Sequence, residues 1–513
     1  MKRRLTIFLL LLLAVSGVWA QSDTLYIPSL EEVYRQNYWL SGSNPVGISF
    51  NRFHSFSVAK AGYSNRNGNL GNPSHPASAH TYHLFSESFR KIGKVALYGK
   101  LGFLNQHKND INWNGMSGNN WHGMNLCDSV AGNQRSEQYQ LEGALSLPFG
   151  LHWQAGARFD YLVETTAKDT DPRNKNQRME WKLTPGIGYI HNNIRIGASL
   201  SYINRKEDVD YQNVGTHIIY HFLVAYPMGF YKTLPRQNQI NWKYAAQETG
   251  GALQLEIRNK PFLFFQEVSG KITKEKIVSD RINDRKENET DGWQIEYKGC
   301  FSKSSAFNRH TWDWQVCLNR FLNHDPLQQQ TGAGTWDSYG KVLRSSDMTN
   351  NFLFTYRYEL LHDNWNPFCS VSAGFNFRQE KSDLFFYPVT YTQPVRRLSI
   401  NAAISRNFFF PHGHLDCLLG GQYGKGGGSI MNEKQSHSSQ SSPDIKLWQD
   451  QERFLQEFRT RTEPRYSVHS SITYTHTSSF SWLIQVSGNY EKAYRNKTDT
   501  NTKYISIQIG LLF

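Results

Sequence analysis

The sequence predicts an all-β protein, a closed antiparallel transmembrane β-barrel of about 18 strands, within a range of roughly 14 to 20. Three observations predict it. The chain ends on Tyr504-Ile-Ser-Ile-Gln-Ile-Gly-Leu-Leu-Phe513, where Ile505, Ile507, Ile509, Leu511 and Phe513 share one face and Tyr504, Ser506, Gln508, Gly510 and Leu512 take the other. Nothing follows to cover that strand's edge, and pairing it with the first strand would remove both edges. Over these residues alone, the last strand of a soluble sandwich would read the same way. Second, short and long polar connections alternate along the chain, as tight periplasmic turns and long extracellular loops do. Third, a mean hydropathy of -0.59 with 14% aromatic residues is too polar for membrane helices, yet suits strands apolar on one face and ringed by aromatic girdles.

Taken in order, Met1-Lys-Arg-Arg4 is a basic start, Leu5 to Val15 an apolar core and Val18-Trp19-Ala20 a small-x-small cleavage site, so residues 1–20 read as a secretory signal peptide. Gln21 follows it, so a cysteine-linked lipid anchor is not expected. Beyond residue 20 no run approaches the roughly 18 apolar residues of a spanning helix. Residues 21–53 read as a periplasmic N-terminal segment and a plug candidate, and residues 54–513 as the barrel. Ser29-Leu-Glu-Glu32 is a capping box for a short helix to about Tyr38, followed by the turn-rich Gly42-Ser-Asn-Pro-Val-Gly-Ile48.

From Ser55 the runs alternate. Leu151, Trp153, Ala155, Ala157, Phe159 and Tyr161 oppose His152, Gln154, Gly156, Arg158 and Asp160, after a turn at Pro148-Phe-Gly150. Ile194, Ile196, Ala198, Leu200 and Tyr202 oppose Arg195, Gly197, Ser199 and Ser201 after His191-Asn-Asn193. Further short turns are expected at residues 90–93, 247–250, 302–308, 361–365, 409–412 and 477–478. Long connections are expected at 64–79, 105–136, 164–177, 205–237, 259–288, 322–345, 381–393, 425–460 and 492–501. Strands of about 9 to 12 residues suffice for a tilted crossing, and residues 216–231 and 262–277 could each hide a further pair. Ser442-Pro443-Asp444 opens a predicted helix to about Thr460, with Leu447, Trp448, Phe454, Leu455 and Phe458 on a ragged apolar face that packs on other loops or gates the mouth.

Several motifs fail as chemistry. Gly424-Lys-Gly-Gly-Gly-Ser429 lacks the earlier glycine and following hydroxyl of a phosphate loop, with Leu419 and Gly426 at those positions. His75, His80, His83, His107 and His122, and His412 with His414, lack an acid or cysteine at ligand spacing, so no metal or cofactor is expected. Cys127, Cys300, Cys317, Cys369 and Cys417 are scattered and read as small apolar residues. Tyr391-Thr-Gln393 and His476-Thr-Ser478 resemble elements of outer-membrane phospholipases. The residue after the serine is Ser479 rather than asparagine, and the turn lies on the periplasmic side, so enzymatic activity is not expected.

Lys100, Glu142, Arg158, Asp160, Lys182 and Arg195 are the candidate lumen-facing residues, of both signs and without clean ion selectivity. The net charge of +13 could meet nucleic acid, but export excludes that partner and points to outer-membrane lipid and lipopolysaccharide. Asn44, Pro45 and Gly47 resemble the amino-terminal "NPAG" segment of barrels related to the long-chain fatty-acid transporter, which implies a short plug inside the barrel. Across its length the chain resembles Bacteroidota outer-membrane barrels of unassigned function, and the resemblance implies that Ile509, Leu511 and Phe513 signal to the barrel-assembly machinery. The resemblance and the pattern together imply residence in a Gram-negative outer membrane. They also imply a pore or transporter for small hydrophobic or amphiphilic solutes, or else an anchor whose loops bind a secreted partner or glycan. A transporter powered through the inner membrane is not expected, because such proteins carry a folded plug domain before about 22 strands.

Overall fold

Period-2 alternation resolves into eighteen wall strands among the described residues. They are β1 (Ser55–Asn67), β2 (Ser78–Ile92), β3 (Val95–Ile111), β4 (Gly132–Pro148), β5 (Trp153–Lys168), β6 (Arg173–His191), β7 (Ile194–Gln212), β8 (Gln239–Asn259) and β9 (Phe262–Ser279). The second half contributes β10 (Arg285–Ser304), β11 (Asn308–Gln330), β12 (Trp336–Leu361), β13 (Pro367–Phe386), β14 (Val389–Phe410), β15 (Gly413–Gly428), β16 (Arg465–His476), β17 (Ser481–Ala493) and β18 (Thr500–Leu512). The computed structural model describes residues 33–34, 37–51, 53–72, 74–118, 121–215, 218–280, 285–332, 335–362, 367–435, 446–478, 480–494 and 500–513. The expected signal peptide, the capping box at 29–32 and the expected helix start at 442–444 lie outside them.

Each strand pairs antiparallel with its chain neighbours, and β1 pairs with β18 from Val58↔Leu512 to Asn67↔Lys503, which closes the cylinder. The Phe513 amide donates to the Ser57 carbonyl at 3.1 Å at the seam. On β18 the outward row Ile505, Ile507, Ile509 and Leu511 is exposed while Ser506 is buried, so the apolar face looks away from the cylinder. Among the described residues no helix is long and apolar enough to cross a membrane.

Two expectations are corrected. The turn placed at residues 247–250 is the middle of β8, where Gly250 lies opposite Lys271 and an added Cβ would sit 2.7 Å from the Gly270 carbonyl. The glycine pair serves close strand approach there, and the chain turns at residues 260–261 instead. Strand length is the second. The strands run from 12 residues in β16 to 26 in β12, and much of the connections expected at 164–177, 259–288, 322–345 and 381–393 is ladder. Pairs such as Ser382↔Gln393 and Gln329↔Asp337 continue the backbone hydrogen bonding between polar residues, whose sequence reads as loop.

The connections expected at 105–136, 205–237 and 425–460 contribute a second sheet that packs on the inner side of the wall. Asn125–Cys127, Leu223–Ala225, Phe230–Thr233 and Trp448–Gln449 form a separate four-stranded sheet, so residues 216–231 hide no wall strands, and 262–277 belong to β9 alone. The expected 442–460 helix is α1, Gln451–Thr462, because Trp448 and Gln449 are taken by that sheet. Asp450 caps it by accepting from the Arg453 amide at 2.9 Å, with Glu452 in its first turn and Arg459 and Arg461 in its last.

Candidate functional site

At the short-turn end the N-terminal segment lies against the polar face of the wall. Pro45–Phe50 is a 3-10 turn, capped where the Asn44 side chain accepts from the Val46 amide at 3.0 Å. The same Asn44 amide group donates to the Ile187 and Ala198 carbonyls and to Gln254 Oε1, each at 3.1 Å. Ser43 donates to Glu267 through its amide at 3.0 Å and its hydroxyl at 2.9 Å, and Tyr34 donates to Glu87. Glycines make the room: a Cβ on Gly186 would meet Asn44 Oδ1 at 2.3 Å, and one on Gly47 the Trp39 carbonyl at 2.2 Å.

Beside this segment lie the charged residues singled out from the sequence. Lys100 Nζ reaches Glu142 at 3.1 Å, and Arg158 reaches Glu142 at 2.8 Å and Asp160 at 2.7 Å. Lys182 stands across from Asp160 in the ladder. Arg195 pairs with Glu256 at 3.0 Å and lays its guanidinium over the Phe50 ring at 4.4 Å. The lumen is therefore not the solvated interior expected, since Glu142 is buried and the cations are half-buried beneath chain. A second network, missed in the sequence, runs Arg178–Glu180–Arg205–Glu248–Lys271 at 2.7 to 3.1 Å. Its signal was available: charged residues two apart with the inward parity of β6 to β9.

At the long-loop end the inward-folded connections build an apolar core. Leu126, Phe222, Val224, Met228, Phe230 and Phe454 pack on Val209, Tyr211, Trp242, Tyr244, Ile277 and Leu384 of the wall, nearly all of them fully buried. Cys127 lies in the neighbouring cluster with Trp113 and Leu223, and burial pushes its thiol up to about 12, which makes it a packing residue rather than a nucleophile. All five cysteines are free.

Between this plug and the wall is a chamber of about 250 Å³. Its wall side carries Asn288, Asn323, Arg344, Ser345 and Asp347, its plug side Trp113, His122, Met124, Tyr226 and Pro227, and α1 adds Arg453 and Glu457. The wall side is polar, and the plug side mixes the apolar faces of Trp113, Met124, Tyr226 and Pro227 with His122 and Asn125. The charges are held in place: Arg344 donates to Asp325 at 2.6 Å and to the Phe385 carbonyl at 2.9 Å, and Asp347 accepts from Ser382 at 2.7 Å. His122 lies 2.9 Å from Glu275 and stacks on Phe321 at 3.5 Å, while Arg453 covers the Trp113 ring at 4.0 Å and lies 3.6 Å from Glu457. Burial raises the Glu457 carboxyl above its ordinary range, against the pull of Arg453 and Arg461. The sequence did not mark this chamber, because its residues come from seven separate stretches.

The remaining motifs are not assembled. His476 stacks on Trp482 at 5.4 Å, whereas Ser478 donates to the Phe480 carbonyl at 2.9 Å, so the two do not meet as base and nucleophile. Thr392 donates to Asp383 at 2.7 Å. His80 is bonded to Tyr63 at 2.8 Å, and among the described residues no group of three or more His, Cys, Asp or Glu could hold a metal ion.

A closed antiparallel cylinder, greasy outside and filled from both ends by its own chain, defines an outer-membrane-type β-barrel. The chain belongs to the family of unknown function DUF6850, whose model matches residues 45–513. No curated protein matches the sequence. Solved structures with a similar barrel fold include the copper transporter OprC, at 10% identity and TM-score 0.36 over 90% of this chain and 82% of that one. The ferric preacinetobactin receptor BauA from Acinetobacter baumannii gives 7% and 0.36 over 89% and 80%. The unliganded ferric citrate transporter FecA gives 7% and 0.38 over 90% and 79%.

Proposed function

We propose that this protein sits in a Gram-negative outer membrane and binds, then passes, a small amphiphilic solute without acting on it chemically. The observation that carries the reading is the chamber: a space with a polar wall and, facing it, a plug that offers Trp113, Met124, Tyr226 and Pro227 suits a molecule with a polar head and a short apolar body. The Asn44 to Gly47 segment, similar to the plug of the fatty-acid transporter class, supports the same solute class, since it lies on the inner wall where the short-turn end must open. Ile509, Leu511 and Phe513, outward or exposed at the seam, support recognition by the assembly machinery.

The test uses decanoate as probe. Saturable quenching of tryptophan fluorescence is expected in the purified protein and is lost in Ser345→Phe, which fills the chamber. Planar-bilayer recording of wild type is expected to show rare openings, made frequent by deleting residues 446–462. Wild type that neither binds decanoate nor conducts, with or without those residues, overturns this reading. It would favour the second one, a surface anchor, to which the filling of both ends by bonded chain already lends support.

A further inference from the structure

The outer surface of β6 to β10 carries a feature the chamber does not explain. Its outward residues line up in rows across the ladder. One row is Leu183, Tyr202, Thr249, Ile272 and Trp293, which puts the Tyr202 and Trp293 rings on the outer face, as the residues of an interfacial girdle are. The next row toward the short-turn end is Leu200, Gly251, Gly270 and Ile295. Two cross-strand glycines leave the wall bare there, and the resulting groove, of about 640 Å³, is bordered by Leu200, Leu253, Val268 and Ile187. An added Cβ on Gly270 would meet nothing nearer than 3.9 Å, so the groove is open space.

Above the girdle the same strands turn basic. Lys274 stands one outward position above Ile272, and Lys276 and Lys206 flank Ala245 one position higher. At about 3.3 Å per residue this places the lysines roughly 7 to 13 Å farther along their strands than Ile272, which a strand tilt of about 40° reduces to roughly 5 to 10 Å along the membrane normal, toward the headgroups. The acids facing them on β10 are engaged elsewhere: Asp291 with Lys341 and Glu289 with Lys286, each at 2.8 Å. Asp208 stands across from Lys243, which itself holds Asp280 at 2.8 Å. Lys206, Lys274 and Lys276 have no ion-pair partner among the described residues, and all three are exposed.

We propose that this face is a binding site for a phosphorylated lipid of the outer leaflet, with its phosphates on Lys206, Lys274 and Lys276 and one acyl chain in the Gly251–Gly270 groove. Charge complementarity selects the headgroup, because lysines just above a girdle attract anionic lipid while the bare groove below them admits an acyl chain. The site is independent of the chamber.

The test reconstitutes the full chain in phosphatidylcholine vesicles doped with bis-phosphorylated lipid A or its dephosphorylated form, extracts it in mild detergent and quantifies co-purified lipid by mass spectrometry. Wild type is expected to retain the phosphorylated form roughly 10- to 100-fold better, as three lysines near a surface allow. The triple substitution Lys206→Gln, Lys274→Gln, Lys276→Gln removes the preference, and Gly270→Leu lowers retention of both lipids. Heat-modifiable gel migration confirms that each variant is a folded barrel. Equal retention of both lipids by wild type, or a preference that survives the triple substitution, overturns the proposal. So does full retention by Gly270→Leu with displacement by inorganic phosphate, which would reduce the site to simple anion binding.

Discussion

The two ends of the cylinder are filled by different physics. The N-terminal segment at the short-turn end is held by directional contacts added to two small apolar clusters around Trp39 and Ile48: Asn44 bonds two strand carbonyls and Gln254, Ser43 bonds Glu267, and Arg195 stacks on Phe50. The connections at the long-loop end make buried bonds as well, such as Trp121 to Glu207 and the Leu126 amide to Tyr244, but rest on a much larger apolar core, through Phe222, Leu126, Val224 and Phe454 packed on Trp242 and Tyr244. A few aligned bonds can be exchanged for water or solute bonds at modest net cost, whereas a buried apolar core cannot be opened piecemeal. The difference predicts that the lower plug loosens before the upper one.

Four variants press on that contrast. The largest effect is expected from Phe222→Ala, which leaves a cavity in the upper plug and costs about 3–5 kcal/mol of its local stability. Trypsin should then cut within residues 213–238, while the wall keeps its resistance to heat in detergent. If the wall melts as well, the two are one cooperative unit and the contrast is wrong.

Asn44→Ala should act on the other end alone. Losing these bonds and leaving buried partners unmet costs about 1–3 kcal/mol, read as faster amide hydrogen exchange over residues 37–51 with residues 213–238 unchanged. Gly47→Ala should move the same signal in the same direction, since its Cβ has no room against Trp39.

The smallest effect is a pH dependence in α1. Because burial holds the Glu457 carboxyl above its ordinary range, the docked helix favours the neutral form. Docking is strongest below the ordinary carboxylate range, declines as pH rises from there through the raised value, and then levels off. Amide exchange of residues 451–462 measured across that window should follow this course, and Glu457→Gln should flatten it. A dependence of the opposite sign would mean that Arg453 and Arg461 outweigh burial.

The wall was legible in the sequence and its filling only in part: the N-terminal segment and the helix bearing Phe454 were read, the core that helix joins was not. Ile505 to Leu511 and Ile194 to Tyr202 announce their faces because lipid demands apolar residues at every second position. Lys100, Glu142, Arg158 and Asp160 were found by the same parity, and the structure brings them into one chain of ion pairs. Gly250 was misread because a glycine pair signals a turn as readily as a close strand approach. The core of the upper plug was invisible because Leu126, Phe222 and Phe454 come from separate connections and become a core only once the cylinder has brought them together. Parity reports which side a residue faces, and carries no word on what fills the space behind it.

The seam between β1 and β18 has a practical corollary. Since the first and last strands are neighbours, a reporter fused to the carboxy terminus and one placed just before Ser55 leave the cylinder at the same rim and sample one compartment. Joining those ends and cutting at residues 387–388, a tight tip at the opposite rim, would give a permuted chain whose new termini sample the other.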